Sequence, residues 1–406
     1  MADVHVWICT IRAIEPSCTR TLRNGNLGIR RLDRVSSKAT FTAGIYLKKV
    51  AEHMHSPSAL ESLIATGTKL YLDSIDPELV ELNLTWGAVG ATSNPIIISN
   101  LIRTGRFDAM IAEYLKAGFD DETICWKLTD TLVSHAQSKF LSQWTASAGN
   151  GGWVSFEVDP LIEDPELDLP HRTRVDRIIE LGLHWSANQP NRMIKVPATP
   201  AGLDALETLA SQGVPLNVTL IFTSRQYRIA RDNVWAGAKR LASLANFKSV
   251  YSIFVSRVDQ YTAERCKELS ADAQGQYGIL NAKRIWLENR EFWKTHKTPL
   301  EQEMIFASTG TKNPTDPPWK YVSALAGSDI QTNPPETNLA VSQSNESFVR
   351  RLDQMPSEAI VRELDRFVDV ADLEKTLMQQ GVSKFVAPQK QLIQTIPEKR
   401  ASLRNS

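Results

Sequence analysis

No stretch of the sequence approaches the ~20 consecutive apolar residues that a membrane-spanning helix needs, so a membrane is not an expected partner. Surplus charge is lacking too: 46 Lys and Arg stand against 46 Asp and Glu, a formal net charge of +0. Without a global field to attract phosphate backbones or anionic lipid, nucleic acid is not an expected partner either. Cysteine is scarce. The four residues, Cys9, Cys18, Cys125 and Cys266, have no metal-ligand spacing and read as reduced thiols of a cytoplasmic protein. The seven histidines form no HExxH pattern, which argues against a zinc site. A glycine-rich phosphate loop is missing as well, since Asp73-Ser74-Ile75-Asp76 follows the first strand where GxGxxG would stand. No short-period repeat of the solenoid kind is visible.

What is present is ordinary in bulk: 406 residues, 42% hydrophobic and 23% charged, enough for one large packed domain or two smaller ones. Residues 1–53 differ from the rest. Arg12, Arg20, Arg23, Arg30, Arg31 and Arg34 lie among Ser and Thr with few acids, and no periodic pattern lasts. A transit peptide has some of these features. The preferred reading is an incidental, poorly ordered extension ahead of the internal Met54. The expected division is an extension over 1–53, a catalytic domain over 54–398 and a tail over 399–406.

From Ser56 onward short strands alternate with helices. Ser56-Pro57 is expected to open the first helix. Strands are expected at Lys69–Ser74, Ala88–Thr92, Trp153–Val158, Met193–Val196, Val214–Leu220, Val250–Val255 and Met304–Ser308, with an eighth near 329–333 or 338–342. Helices are expected at about 96–117, 121–145, 170–188, 224–245 and 355–396, and a mostly helical stretch at 259–295. Such alternation implies a parallel sheet with crossover helices. About eight repeats within roughly 340 residues fit a (β/α)8 barrel better than an open doubly wound sheet.

Lys195 is the oddity of this pattern, a charge within the apolar run Met193–Val196. Desolvation disfavours an ammonium group, and an amine freed of its proton attacks carbonyls. Taken alone, the stretch reads as a strand-end lysine reaching back to water. The following helix is well signalled, with Thr199 as N-cap, Pro200 at the first position and Gly213 beyond the end.

In a barrel the C-terminal strand ends converge. Those ends carry Asp73, Asn94, Glu157, Lys195, the pair Asn217 and Thr219, then Ser252 and Phe254, with Arg257 just beyond. Barrel interiors are usually filled by Val, Ile and Leu, so a ring of polar inward positions points to a site. Each residue has a plainer reading. Asp73 could cap a helix, although Asp76 before Pro77 suits that better. Asn94 before Pro95 could be a turn residue. Glu157 could simply pair with Lys195. Asn217 and Thr219 could satisfy each other, and Arg257 could pair with Asp259. All these would have to hold together.

The strand ends also carry a family resemblance. LYLDSID (70–76), GATSNPIII (90–98), FEVDP (156–160), IKVPAT (194–199), NVTLIF (217–222), YSIFVSRVD (251–259) and ASTGTKNP (307–314) resemble, in kind and in order, the motifs of transaldolases. These are Schiff-base-forming aldol transferases of the pentose phosphate pathway, and the likeness spans about 56–395. It implies a (β/α)8 TIM barrel of the class I aldolase type and a transferase that needs no cofactor, because a lysine supplies the electron sink. The implied partners are small sugar phosphates, with a homodimer possible. Transferred residue by residue, it implies Lys195 as the Schiff-base nucleophile and Asp73 as the proton acceptor beside the scissile bond. Glu157 and Thr219 would hold a proton-shuttling water. Asn94, Asn217 and Ser252 would bind the dihydroxyacetone portion, with Phe254 beside it, and Arg257 the phosphate. Many members of the family bind phosphate with two arginines. Here Ser308 and Lys312 of the loop Ser308-Thr309-Gly310-Thr311-Lys312 stand in for the second. Related aldolases that release free dihydroxyacetone tend to carry Gln and Tyr at the positions of Glu157 and Phe254, which favours the transferase. The insert with Trp286 and Trp293 is expected to cover the site or form an interface.

Overall fold

Alternate residues of each strand divide between two separate apolar clusters, and that division shapes the molecule. The computed structural model describes residues 58–404. Its eight parallel strands close into a barrel in sequence order. They are β1 (Lys69–Leu72), β2 (Gly90–Thr92), β3 (Trp153–Glu157), β4 (Arg192–Pro197), β5 (Leu216–Ile221), β6 (Ser249–Phe254), β7 (Glu303–Ala307) and β8 (Ile330–Asn333). Closure is made by β1 on β8, where Lys69 pairs with Ile330 and Leu72 with Asn333. In β4, Ile194 and Val196 join the cluster under the helices, whereas Met193 joins the one inside the barrel. Likewise Tyr251 and Ile253 of β6 and Met304 and Phe306 of β7 face the helices, while Val250, Phe254, Ile305 and Ala307 face inward. Period-2 geometry dictates the sorting. It also puts Lys195 inside, two residues beyond Met193.

The helices are α1 (Ala59–Ala65), α2 (Pro77–Thr85), α3 (Pro95–Arg103), α4 (Asp108–Lys116), α5 (Asp121–Ala146), α6 (His171–Ser186) and α7 (Pro200–Ser211). They continue with α8 (Ser224–Ala238), α9 (Ser256–Arg265), α10 (Tyr277–Thr295), α11 (Lys320–Ala324), α12 (Pro335–Ser342), α13 (Glu358–Phe367) and α14 (Val370–Arg404). Their starts follow from local chemistry. Asp76 caps α2 with Pro77 next, and Thr199 caps α7 by accepting from Gly202 N at 3.1 Å. Gly202 is obligatory at that corner, because a Cβ would lie 1.9 Å from the Pro197 carbonyl oxygen.

Several expectations shift. Ser58 caps α1, through a capping box with Glu61, and the expected opening Ser56-Pro57 lies outside the described residues. The helical stretch expected over 96–117 breaks into α3 and α4, and α8 ends at Ala238 rather than near 245. The eighth strand takes the earlier of its two expected places. The tail expected at 399–406 is helical through Arg404, as the end of α14, which salt bridges from Lys390 to Asp164 and from Lys399 to Asp108, both at 2.7 Å, tie to the barrel. The extension expected over 1–53 lies outside the described residues. The insert also differs. Trp286 of α10 is fully buried and donates to Asp329 Oδ1 at 3.2 Å, and Trp293 packs against Trp235 and Phe247. Both tryptophans fill the core and neither lines the barrel mouth.

Candidate active site

The C-terminal mouth of the barrel holds a cavity of about 250 Å³. Asp73, Asn94, Lys195, Thr219, Ser252, Phe254, Arg257, Ser308 and Lys312 all line it. Glu157 and Asn217 are not among the lining residues. Strand register explains their grouping: Glu157 pairs with Lys195 and Lys195 with Asn217, so the three side chains form one row inside the barrel.

Lys195 is 6% exposed. Its Nζ donates to the Ser93 carbonyl oxygen at 3.3 Å and lies 3.7 Å from Glu157 Oε2. The second distance suits an ion pair and is too long for a hydrogen bond. Burial pushes the Glu157 carboxyl up to about 7; Lys195 opposes the rise and Asp73 adds to it. Asp73 is also raised by burial, against the pull of Lys195 and of a 2.8 Å hydrogen bond donated by Thr92 Oγ1 to Asp73 Oδ1. Thr92 Oγ1 in turn lies 3.0 Å from Thr332 Oγ1, so β2 and β8 together orient the acid at the end of β1.

The plainer readings fare unevenly. Asn217 and Thr219 do not satisfy each other. Asn217 donates to Ser155 Oγ at 2.9 Å and accepts from Ser252 Oγ at 2.7 Å. Thr219 Oγ1 is buried with no protein partner. The backbone reverses hand immediately afterwards, at Leu220 with φ +57°, where the β5–β6 register shifts. Arg257 does not pair with Asp259, which accepts from Gly278 N at 2.6 Å, and Arg257 Nη1 is buried without a partner. Asn94 does cap α3, accepting from Ile97 N at 3.1 Å through Oδ1, yet it still lines the cavity. Ser308, held at φ +55°, shares a 2.8 Å hydrogen bond with Ser256.

Among the cavity residues that sequence reasoning missed are Thr92, Thr332, Lys384 and Phe385. Thr92 and Thr332 gave no signal because threonine is common in strands. Lys384 and Phe385 come from α14, far along the chain, and Phe385 places its ring centroid 5.3 Å from Lys195 Nζ. Among the described residues no cluster of His, Cys, Asp and Glu could hold a metal ion.

A closed parallel barrel with a polar mouth built from strand ends is the architecture of a (β/α)8-barrel enzyme. The chain belongs to the transaldolase/fructose-6-phosphate aldolase family, whose model matches residues 70–396. A transaldolase of Mycobacterium leprae (strain Br4923) is 31% identical over 375 residues, covering 85% of this chain and 97% of the relative. A transaldolase of Mycobacterium tuberculosis (strain ATCC 25618 / H37Rv) is 32% identical over 374 residues, with the same coverage of 85% and 97%. The match to a transaldolase of Mycobacterium ulcerans (strain Agy99) is 31% over 364 residues, 82% of this chain and 95% of the relative. The protein is thus a transferase of the transaldolase family.

Proposed function

We propose that this enzyme transfers a dihydroxyacetone unit from a ketose phosphate, sedoheptulose 7-phosphate or fructose 6-phosphate, to an aldose phosphate through a Schiff base on Lys195. The observation that carries this reading is a buried amine at the end of β4, facing an acid raised to about 7 and a second raised acid across the barrel.

The Lys195 amine attacks the ketone carbon, forming a C–N bond and a carbinolamine. Loss of water needs a proton delivered to the departing oxygen. Glu157 titrates near 7 and is suited to give and retake it, and the unpartnered Thr219 hydroxyl can hold the relaying water with it. The iminium then withdraws electrons as Asp73 takes the proton of the hydroxyl beside the scissile bond. The carbon–carbon bond breaks, an aldehyde leaves, and an enamine stays on Lys195. An incoming aldose phosphate reverses these steps. Asn94, Asn217 and Ser252 would bind the retained hydroxyls. Arg257 is assigned to phosphate, with Ser308 and Lys312, because its buried Nη1 lacks a protein partner. A cytoplasmic setting agrees with Cys125 and Cys266, both buried free thiols.

The test is borohydride reduction after incubation with fructose 6-phosphate. Mass spectrometry should find a dihydroxyacetone-sized adduct on Lys195, and erythrose 4-phosphate added before reduction should discharge it. Absence of the adduct would overturn the Schiff base, and its persistence would count against transfer.

A further inference from the structure

Three cations from three parts of the chain meet at the cavity: Arg257 in the first turn of α9, Lys312 in the loop after β7, and Lys384 on α14. None of the ion pairs among the described residues includes any of them. They also act on one another. Lys384 is held below its ordinary value by burial first, then by Arg257 and Lys312, with only Glu264 opposing. Like charges gathered with so little counter-charge raise the energy of the free enzyme, and a dianion seated among them relieves it. The next residue on the helix is Phe385, whose ring lies against the Lys195 amine.

The seating of α14 ties the two side chains together. Gly381 lets the helix approach the end of β5, where a Cβ would meet Leu220 Cδ2 at 3.1 Å and Phe222 Cζ at 3.5 Å. Pro388, inside the helix, has no N–H to offer the carbonyl of Lys384, so the intrahelical ladder is broken at that point.

We propose that Lys384 is a third phosphate-binding residue, supplied by the C-terminal helix, and that its engagement by the phosphate of a bound aldose phosphate, before that product departs and once the acceptor arrives, holds Phe385 over the Lys195 amine and keeps water from the covalent intermediate. This rests on the Schiff-base reading above. The reaction it suppresses is hydrolysis. The enamine carbon takes a proton, water adds to the resulting iminium carbon, the C–N bond breaks, and free dihydroxyacetone leaves with the lysine amine regenerated. A helix anchored by phosphate next to the amine opposes that entry of water, whereas an unanchored one does not.

The experiment compares the wild-type chain with Lys384→Gln and with Lys375→Gln, a control on the same helix that does not line the cavity. Calorimetric binding of inorganic phosphate and KM for fructose 6-phosphate should each worsen about tenfold in Lys384→Gln and stay within twofold in the control. Free dihydroxyacetone released per transfer to erythrose 4-phosphate should rise severalfold in Lys384→Gln alone. The Lys195 adduct trapped with saturating dihydroxyacetone should persist, which excludes misfolding. Phosphate affinity and KM within twofold of wild type would overturn the assignment of Lys384. Weakened phosphate binding with unchanged dihydroxyacetone release would overturn the link to Phe385. A wild-type chain that binds phosphate but gives no adduct would instead sink the Schiff-base reading.

Discussion

Lys195 Nζ lies 3.7 Å from Glu157 Oε2, and neither group completes a hydrogen bond to the other. The pair is close enough to interact strongly and loose enough to admit a reacting atom. A structural ion pair at this depth would be expected to close up, since removing two charges from water is costly unless the geometry is good. The open arrangement fits a site that does chemistry.

Glu157→Gln keeps the shape and removes the proton exchange. Turnover is expected to fall about 10²–10⁴-fold, with carbinolamine dehydration as the slowed step. Quench-flow reduction with borohydride checks this, because the iminium should appear more slowly. An unchanged rate of iminium formation would contradict the role.

The same substitution carries a stability signature. The folded-state Glu157 value of about 7 lies above the ordinary value of 4.5, so folding binds a proton in that window. Its favourable contribution is complete below 4.5 and is lost as pH rises through about 7. The loss is on the order of 3 kcal/mol for a shift of this size. Unfolding free energies at pH 5 and pH 8 should therefore diverge between wild type and Glu157→Gln, wild type losing more at pH 8. Parallel curves would show that the burial of Glu157 does not matter in this way.

Asp73→Asn should separate two steps. Schiff-base formation on Lys195 is expected to continue, while carbon–carbon cleavage slows about 10²–10⁴-fold. Trapping should then recover the intact ketose phosphate on the lysine. Equal loss of both steps would remove Asp73 from its assigned place.

Thr219→Val tests the unpartnered hydroxyl. It breaks no protein hydrogen bond, so stability should stay within about 0.5 kcal/mol or increase. Turnover should nevertheless fall at least about tenfold. A variant that loses stability and keeps activity would mean the hydroxyl is structural.

Gly202→Ala addresses the scaffold under Lys195. A Cβ 1.9 Å from the Pro197 carbonyl must displace the β4–α7 corner. A loss of about 3 kcal/mol is expected from such overpacking, read by denaturant midpoint. Retained stability would mean that the corner relaxes without cost.

The sequence alone determined the alternation of strands and helices, hence the barrel, and the strand ends that carry Asp73, Glu157, Lys195 and Thr219. These signals are local. A strand sorts its residues by a period of two, and caps such as Thr199 and Asp76 act within three residues. Only the tertiary structure decided which polar groups satisfy one another. It closed Asn217 onto Ser155 and Ser252, left Arg257 unpaired by giving Asp259 to Gly278, and buried Trp286 and Trp293 in the core. It also brought Lys384 and Phe385 from the last helix to a lysine nearly two hundred positions earlier. Contacts between distant segments leave no periodicity in either segment, because they depend on where a whole helix is seated.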